Sequence, residues 1–308
     1  MDAEILTAID TRLRAALASA PLTGHVLRVD GVPVGILDAA RARRLAGFPE
    51  VFVVGDDSVE FAPRLHDPRS RSAAIAEVAR ELAREGRLSA WRDELFAASE
   101  DFDAPPAFVI ERAAARYFGI RTWAAHVNGV VRDAGTASMW FARRSEHKAI
   151  DPGMLDNLVG GGIAVGHGVR ETLAKEAWEE AGIPAALASR ASAVRSLIVC
   201  RLNADGIQRE TIFVHDLWLP ADFAPVNQDG EAVEHRRVTW PEAARLIALA
   251  SGPDQVTVDA SLVVLDFLIR HEALPGDPAQ LAALRALARP LPSPLTLPSP
   301  RARGEDAA

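Results

Sequence analysis

The stretch Gly160–Ile183, GGGIAVGHGVRETLAKEAWEEAGI, decides how the rest of the chain is read. Three glycines open it, a helical run of about three turns follows, and Gly182 and Pro184 close it. The helix carries Glu176, Glu179 and Glu180. At about 100° of turn per residue, these carboxylates share one face within an arc of roughly 100°. Leu173, Ala174, Ala177, Trp178 and Ala181 form a separate apolar arc suited to packing on a core. Like charges spaced three and four apart repel and weaken an isolated helix by a few tenths of a kcal/mol per pair. A hard divalent cation would turn that repulsion into attraction. A solvated acidic face is the ordinary alternative; the glycine approach and the glycine stop favour a metal site.

Working outward, 308 residues allow one large or two ordinary domains. With 49% hydrophobic and 25% charged residues, the chain has ample core material for a globular fold. A net charge of −8 argues against a general nucleic-acid binder, which carries a basic footprint. The single cysteine, Cys200, excludes an internal disulfide and a cysteine-based metal cluster, and its apolar surroundings suit a core position. The opening MDAEILTAIDTRLRAAL lacks the basic start and apolar run of a secretory signal, and no apolar run is long enough to span a bilayer. The expectation is a soluble, cytoplasmic protein without a membrane or nucleic-acid partner.

Upstream of the glycines, residues 2–18 have helical periodicity. Next come His25–Val29 and Val32–Leu37, a hairpin around Asp30-Gly31. Val51–Val54 and Val59–Phe61 form another strand pair, residues 70–85 an amphipathic helix, Glu94–Ala98 a strand, and Phe108–Phe118 a helix ending at Gly119. Residues 1–119 therefore read as a small α+β N-terminal domain without a spacing that carries chemistry. From residue 120 to 275 the character changes. Trp123–Val131 and Ser138–Ala142 read as strands turning at Asp133-Ala134-Gly135, and Ala193–Leu202 and Glu210–Leu219 as a hairpin around Asp205-Gly206. Asn227–Glu234 reads as an acidic loop before a short strand, Arg237–Trp240, and a helix from Pro241. Val256–His271 closes the unit as a helix. Strands interleaved with helices imply a mixed sheet with helices on its faces, an α/β arrangement. Residues 276–308 read as a tail: Ala279–Ala288 has helical character, and the proline- and serine-rich stretch from Arg289 cannot bury a core.

Anchored on Gly182, the opening stretch resembles a Nudix box. That pattern is Gly, five residues, Glu, seven residues, Arg-Glu, apolar, any, Glu-Glu, any, Gly, apolar. Gly161, Glu176, Ala177, Glu179, Glu180, Gly182 and Ile183 match; His167 replaces the first Glu and Lys175 the Arg. Lysine keeps the charge but loses the planar fork of arginine. The resemblance continues through His126-Val127-Asn128-Gly129, Arg143-Arg144-Ser145 with Lys148, Pro152–Asn157 and Asp229-Gly230-Glu231. Together these are similar to a Nudix subgroup with an extra N-terminal domain, related to proteins associated with thiamine pyrophosphokinase. It implies a Nudix α/β/α sandwich and a diphosphatase acting on thiamine diphosphate or its oxidised, damaged analogues.

In that reading Mg²⁺ or Mn²⁺ held by Glu176, Glu179 and Glu180 neutralises phosphate oxygens and lowers the pKa of a bound water. Gly161 and Gly162 let the backbone approach the phosphates. A general base must reach the water; Glu231 and Glu234 are the candidates outside the helix, and Glu179 the one within it. Arg143, Arg144 and Lys148 offer cations to the diphosphate. His126 and Asn128, two apart on one strand face, would read the substrate's ring. Ordinary surface or core roles stand beside each of these. Two other functions stay open: an ADP-ribose or nucleotide-sugar diphosphatase, and a non-catalytic module that binds a phosphate ligand. A Nudix-type isopentenyl-diphosphate isomerase is disfavoured by the strand context of Cys200. The first domain is left with substrate selection or assembly into a homodimer.

Overall fold

The computed structural model describes residues 2–17, 24–133 and 135–287. Helix α1 (Asp2–Leu17) places Leu6, Ile9 and Leu13 in full burial. Strands β1 (His25–Val29) and β2 (Val32–Leu37) form the expected hairpin, with Asp30 and Gly31 at φ 51° and 78° as a tight turn between twisted strands requires. Helix α2 (Ala39–Leu45) begins at Asp38, whose carboxylate accepts from the Arg41 N–H. Strands β3 (Phe52–Val54) and β4 (Ser58–Phe61) complete a four-stranded sheet ordered β2-β1-β4-β3. Helix α3 (Pro68–Arg84), started by an Asp67–Ser70 capping box, lays Ile75, Val78 and Leu82 in this unit's core. Strands β5 (Leu95–Ala98) and β6 (Phe108–Glu111) pair antiparallel beside it, and one helical turn, α4 (Arg112–Ala115), leads out.

The second half is built on β7 (Arg121–Asp133) and β8 (Thr136–Arg144), followed by the short strands β9 (Leu155–Asn157) and β10 (Val159–Gly162). After them come α5 (Val169–Ala181), α6 (Ala185–Ala188), the hairpin β11 (Ser192–Asn203) and β12 (Gly206–Leu219), β13 (Ala232–Thr239), α7 (Trp240–Ala248), α8 (Val258–Arg270) and α9 (Pro278–Leu287). The sheet runs β11-β12-β7-β8-β13, with β10 on β7 and β9 on β8. It is mixed, because β12 lies parallel to β7 while β8 and β10 are antiparallel to it. Alternation along β7 divides two cores. Trp123, Ala125 and Val127 meet Leu173, Ala177 and Ala181 of α5 on one face, while Ala124 and Val130 join α7 and α8 on the other. The expected α/β/α sandwich is present. Residues 260–269 of α8 are all buried, since it is covered on several sides.

Helix α1 does not pack on the sheet that follows it. Leu6, Ile9 and Leu13 sit in the second half's core with Val199, Ile247 and Val264. From the same helix Arg12 donates to the Ile247 and Val256 carbonyls and to Ser261 Oγ. The first unit thus stands between a helix and the sheet that helix covers.

Three local expectations need correction. Phe108–Glu111 is a strand, because its alternate residues Phe108 and Ile110 are buried in a ladder with Leu95–Ala98; helix is confined to Arg112–Ala115. The strand placed at Arg237–Trp240 begins at Ala232, since β13 pairs with β8 back to Arg144, and Trp240 instead starts α7 behind the Thr239 cap. The helical character read at 279–288 is present as α9, which buries Leu284 against the second core. Trp178 is 52% exposed, and Thr172 takes a buried place on α5. The proline-rich stretch from Arg289 and Ala134 of the expected turn lie outside the described residues.

Candidate active site

Helix α5 ends as its sequence demands: Gly182 adopts the left-handed conformation at φ 63°, and its N–H reaches back to the Ala177 and Trp178 carbonyls. Strand β10 then crosses close to the glutamate face. A Cβ on Gly161 would lie 2.4 Å from Cγ and Cδ of Glu176, so only glycine leaves that carboxylate in place. The Gly160 N–H donates to Glu180 Oε2 at 2.8 Å. A Cβ on Gly162 would meet Cζ of Phe96 at 2.7 Å, and the Val165 N–H donates to the Leu95 carbonyl at 2.8 Å. The glycine run therefore touches the glutamate helix with two residues and the N-terminal unit with the third.

The carboxylates differ in setting. Burial, reinforced by the neighbouring Glu176 charge, raises the Glu180 carboxyl well above the ordinary glutamate range, against the pull of the Gly160 hydrogen bond. Burial raises Glu176 as well, opposed by Lys175. Lys175 lies 3.0 Å from Glu176 and 2.8 Å from Glu179, so it ties the carboxylates to each other. Although burial works against it, those hydrogen bonds hold the Lys175 ammonium above the usual lysine range. Among the described residues no three acidic, histidine or cysteine side chains converge into a finished metal cage. One buried and one half-buried carboxylate that repel each other, with a third beside them, nevertheless suit a hard divalent cation, which would remove the penalty of ionising them in this setting. His167 pairs with Glu171 at 3.0 Å on the exposed first turn of α5, away from this cluster.

Above the helix opens a cleft floored by Gly160, Gly161, Gly162 and Glu176 and walled by both halves of the chain. Lys148 and Glu231 line it from the second half, and Arg92, Phe96 and Arg112 from the first. Glu231 pairs with both Lys148 and Arg92. Burial, only partly offset by the Glu180 carboxylate, joins the charges of Arg144, Arg92 and Arg112 in pulling the Lys148 ammonium below the usual lysine range, to about 8.

The fold brings Glu176, Glu179, Glu180, Gly161, Gly162, Lys148 and Glu231 to this region. The other sequence candidates have partners elsewhere. His126 and Asn128 do share a strand face but are buried, His126 Nδ1 lying 2.8 Å from Asn157 Oδ1 and Asn128 Nδ2 donating to Asp216 Oδ1 at 3.0 Å. The His126 ring lies under Gly160, where an added Cβ would come within 3.0 Å of Cε1. Arg143 is spread over Glu234 at 2.6 Å, Asp254 at 2.6 Å and two carbonyls, which also places Glu234 on an ion pair outside the cleft lining. Arg144 touches the cleft but directs its donors to Asp156 and to the Ile150 and Asp151 carbonyls. Arg92, Phe96 and Arg112 were not anticipated. The one sequence signal toward them is the third glycine, which metal contact alone does not require and which Phe96 explains.

Comparison with known proteins gives the family. A NUDIX domain model matches residues 122–259, and a domain of unknown function, DUF4743, matches residues 15–122. Nudix hydrolase 24, chloroplastic, of Arabidopsis thaliana is 37% identical over 257 residues, 82% of this chain and 70% of the relative. Nudix hydrolase 20, chloroplastic, of the same plant is 40% identical over 207 residues, 67% of this chain and 54% of the relative. The crystal structure of a Deinococcus radiodurans protein covers 55% of this chain and 97% of its own at 24% identity, with a TM-score of 0.39. With a relative of this identity matched over most of both lengths, and a box helix that faces an open cleft, the chain belongs to the Nudix hydrolase family and is a pyrophosphohydrolase.

Proposed function

We propose that this pyrophosphohydrolase is a divalent-metal-dependent diphosphatase that converts thiamine diphosphate, or its oxidised analogues, to the monophosphate and phosphate. The observation that carries the reading is the mixed charge of the cleft. Lys148, Arg92 and Arg112 line it together with the box, while Asp205 and Glu210 contribute carboxylates elsewhere on its wall. A substrate that joins an anionic diphosphate to a cationic ring suits such a lining. ADP-ribose and nucleotide sugars are the alternative within the same chemistry.

Glu176, Glu179 and Glu180 would hold Mg²⁺ or Mn²⁺, which when bound supplies charge neutralisation at the phosphate oxygens and a more acidic water. Gly161 and Gly162 present backbone without a Cβ to the phosphate chain. Glu231, once parted from its cations, accepts a proton from water as the water oxygen bonds to phosphorus. The bridging P–O bond breaks and its electron pair leaves with the departing phosphate. Lys148 supplies positive charge beside the transferred group. No helix of the described residues is long and apolar enough to cross a membrane; a cytoplasmic location belongs to this reading, and chloroplastic is said of the plant relatives.

The test is a panel of thiamine, oxothiamine, nucleoside and sugar diphosphates, scored by kcat/KM with Mg²⁺ or Mn²⁺ and with chelator. Metal-dependent release of thiamine or oxothiamine monophosphate is expected. Preference for ADP-ribose or nucleotide sugars would move the substrate to the alternative, and a protein that hydrolyses none would leave a binding module.

A further inference from the structure

We infer that the N-terminal unit supplies a substrate-positioning cation to this active site, Arg92, and that an incoming diphosphate draws Arg92 and Lys148 away from Glu231. The inference rests on the reading of the cleft as a diphosphatase site and goes beyond it, because it gives the first unit a share in substrate recognition.

Several independent features put Arg92 there. The segment that carries it leaves α3 through Gly86 at φ 70° and passes two non-glycine residues in the left-handed region, Ala90 at φ 63° and Asp93 at φ 56°. Such conformations are costly for these residues and persist only where the surroundings impose them. The Arg92 backbone N–H is pinned at 3.0 Å to the carboxylate of Glu111, which is 5% exposed. The segment that follows is held to the second half by the Val165–Leu95 backbone hydrogen bond and by Phe96 against Gly162. The guanidinium is thereby aimed across the boundary between the two units.

Its current partner is suited to exchange. Arg92 and Glu231 side chains are 39% and 27% exposed, so water competes for both and the pair is weak. A diphosphate offers the Arg92 fork and the Lys148 ammonium more charge and more acceptor oxygens than one carboxylate does. Glu231, held by two cations without substrate, then regains a free carboxylate beside the reacting phosphate. Arg112 has an equally exposed partner in Glu94 at 2.7 Å, but its guanidinium also lies 5.6 Å from the Phe96 ring centroid; it serves as a background charge.

The test uses the full chain and inorganic pyrophosphate as probe, with binding measured by calorimetry in chelator and turnover measured separately on the diphosphate panel. Arg92→Ala is expected to weaken pyrophosphate binding at least tenfold and to raise KM by a similar factor, with kcat changed less than about threefold. Arg92→Lys should recover part of the affinity. The same loss should appear in a Glu231→Gln background, where an arm that merely ties down Glu231 would have nothing left to do. Arg80→Ala, which removes an exposed charge on α3, is the control for net charge. Should Arg92→Ala not fold, Arg92→Gln takes its place. Pyrophosphate affinity within twofold of the parent in the Arg92 variants, or no pyrophosphate binding by the parent at millimolar concentration, would overturn the inference. A parent that binds pyrophosphate through Arg92 yet hydrolyses nothing on the panel would instead overturn the diphosphatase reading and leave Arg92 as a phosphate ligand.

Discussion

Replacing Glu180 by glutamine should make the metal-free protein more stable at neutral pH while it disables the enzyme. Glu180 is buried, accepts one hydrogen bond from Gly160 and is pushed upward by burial and by Glu176 from its ordinary value of 4.5. Between that value and the raised one, the folded state holds a proton that the unfolded chain has released. Stability is therefore full below the ordinary value and falls as pH rises, by about 1.4 kcal/mol per pH unit. From pH 5 to pH 7 the loss reaches up to about 2.7 kcal/mol. Glutamine keeps a carbonyl for the Gly160 N–H but has no proton to lose. The gap in unfolding free energy, variant minus parent, should thus widen by up to about 2.7 kcal/mol across that interval. Urea titrations in chelator at pH 5, 6 and 7 measure it directly. Added Mg²⁺ should stabilise the parent more than the variant, because only the parent keeps all three carboxylates to bind it. Curves that run parallel to within about 0.5 kcal/mol would refute the reasoning, since Glu180 would then titrate alike in both states.

Three further outcomes follow from the same geometry. Glu179→Gln, at a side chain 34% exposed, should leave unfolding free energy within about 0.5 kcal/mol and lower kcat on the preferred diphosphate by at least about 100-fold; near-parental turnover would remove Glu179 from the machinery. Gly161→Ala forces a Cβ against Glu176 and should cost about 1–3 kcal/mol in denaturant unfolding. Its kcat/KM should fall tenfold or more as the carboxylate is displaced, and an unchanged kcat/KM would show that the Glu176 position is not used. Leu13→Ala should destabilise the second half by about 2–5 kcal/mol, read from tryptophan fluorescence in urea, to which every tryptophan but Trp91 contributes from that half, because Leu13 is fully buried in that core; a loss below about 1 kcal/mol would mean the helix is dispensable there.

The parts of the site that were legible in the sequence are those whose partners are close along the chain. Glu176, Glu179 and Glu180 share one helix, and their spacing alone fixes their common face. The hairpins at Asp30-Gly31 and Asp205-Gly206 were readable because the turn residues carry their own geometry. Phe108–Glu111 was misread since a short apolar run has no period long enough to separate strand from helix, and its pairing with Leu95–Ala98 decides the matter from outside. His126 and Asn128 were placed on one face as expected, but whether that face met ligand or protein depended on Asn157 and Asp216, which the strand pattern does not name. Arg92 lay beyond reach for a similar reason: its side chain meets Glu231, 139 positions later.

The order in which this chain leaves the ribosome conflicts with the order in which its cores close. Arg12 and Ser261 are hydrogen-bonded yet 249 positions apart. At bacterial or eukaryotic synthesis rates the opening helix waits about 12 to 50 s for the helix that receives it. The sheet of the first unit has all its strands long before then and is free to form while Leu6, Ile9 and Leu13 remain uncovered. During that interval the nascent chain trails a short apolar helix with no partner of its own, a natural target for chaperones. A circular permutant that moves α1 behind α9 would remove the wait and should yield more soluble protein during synthesis, with no such advantage when the complete chains are refolded from denaturant.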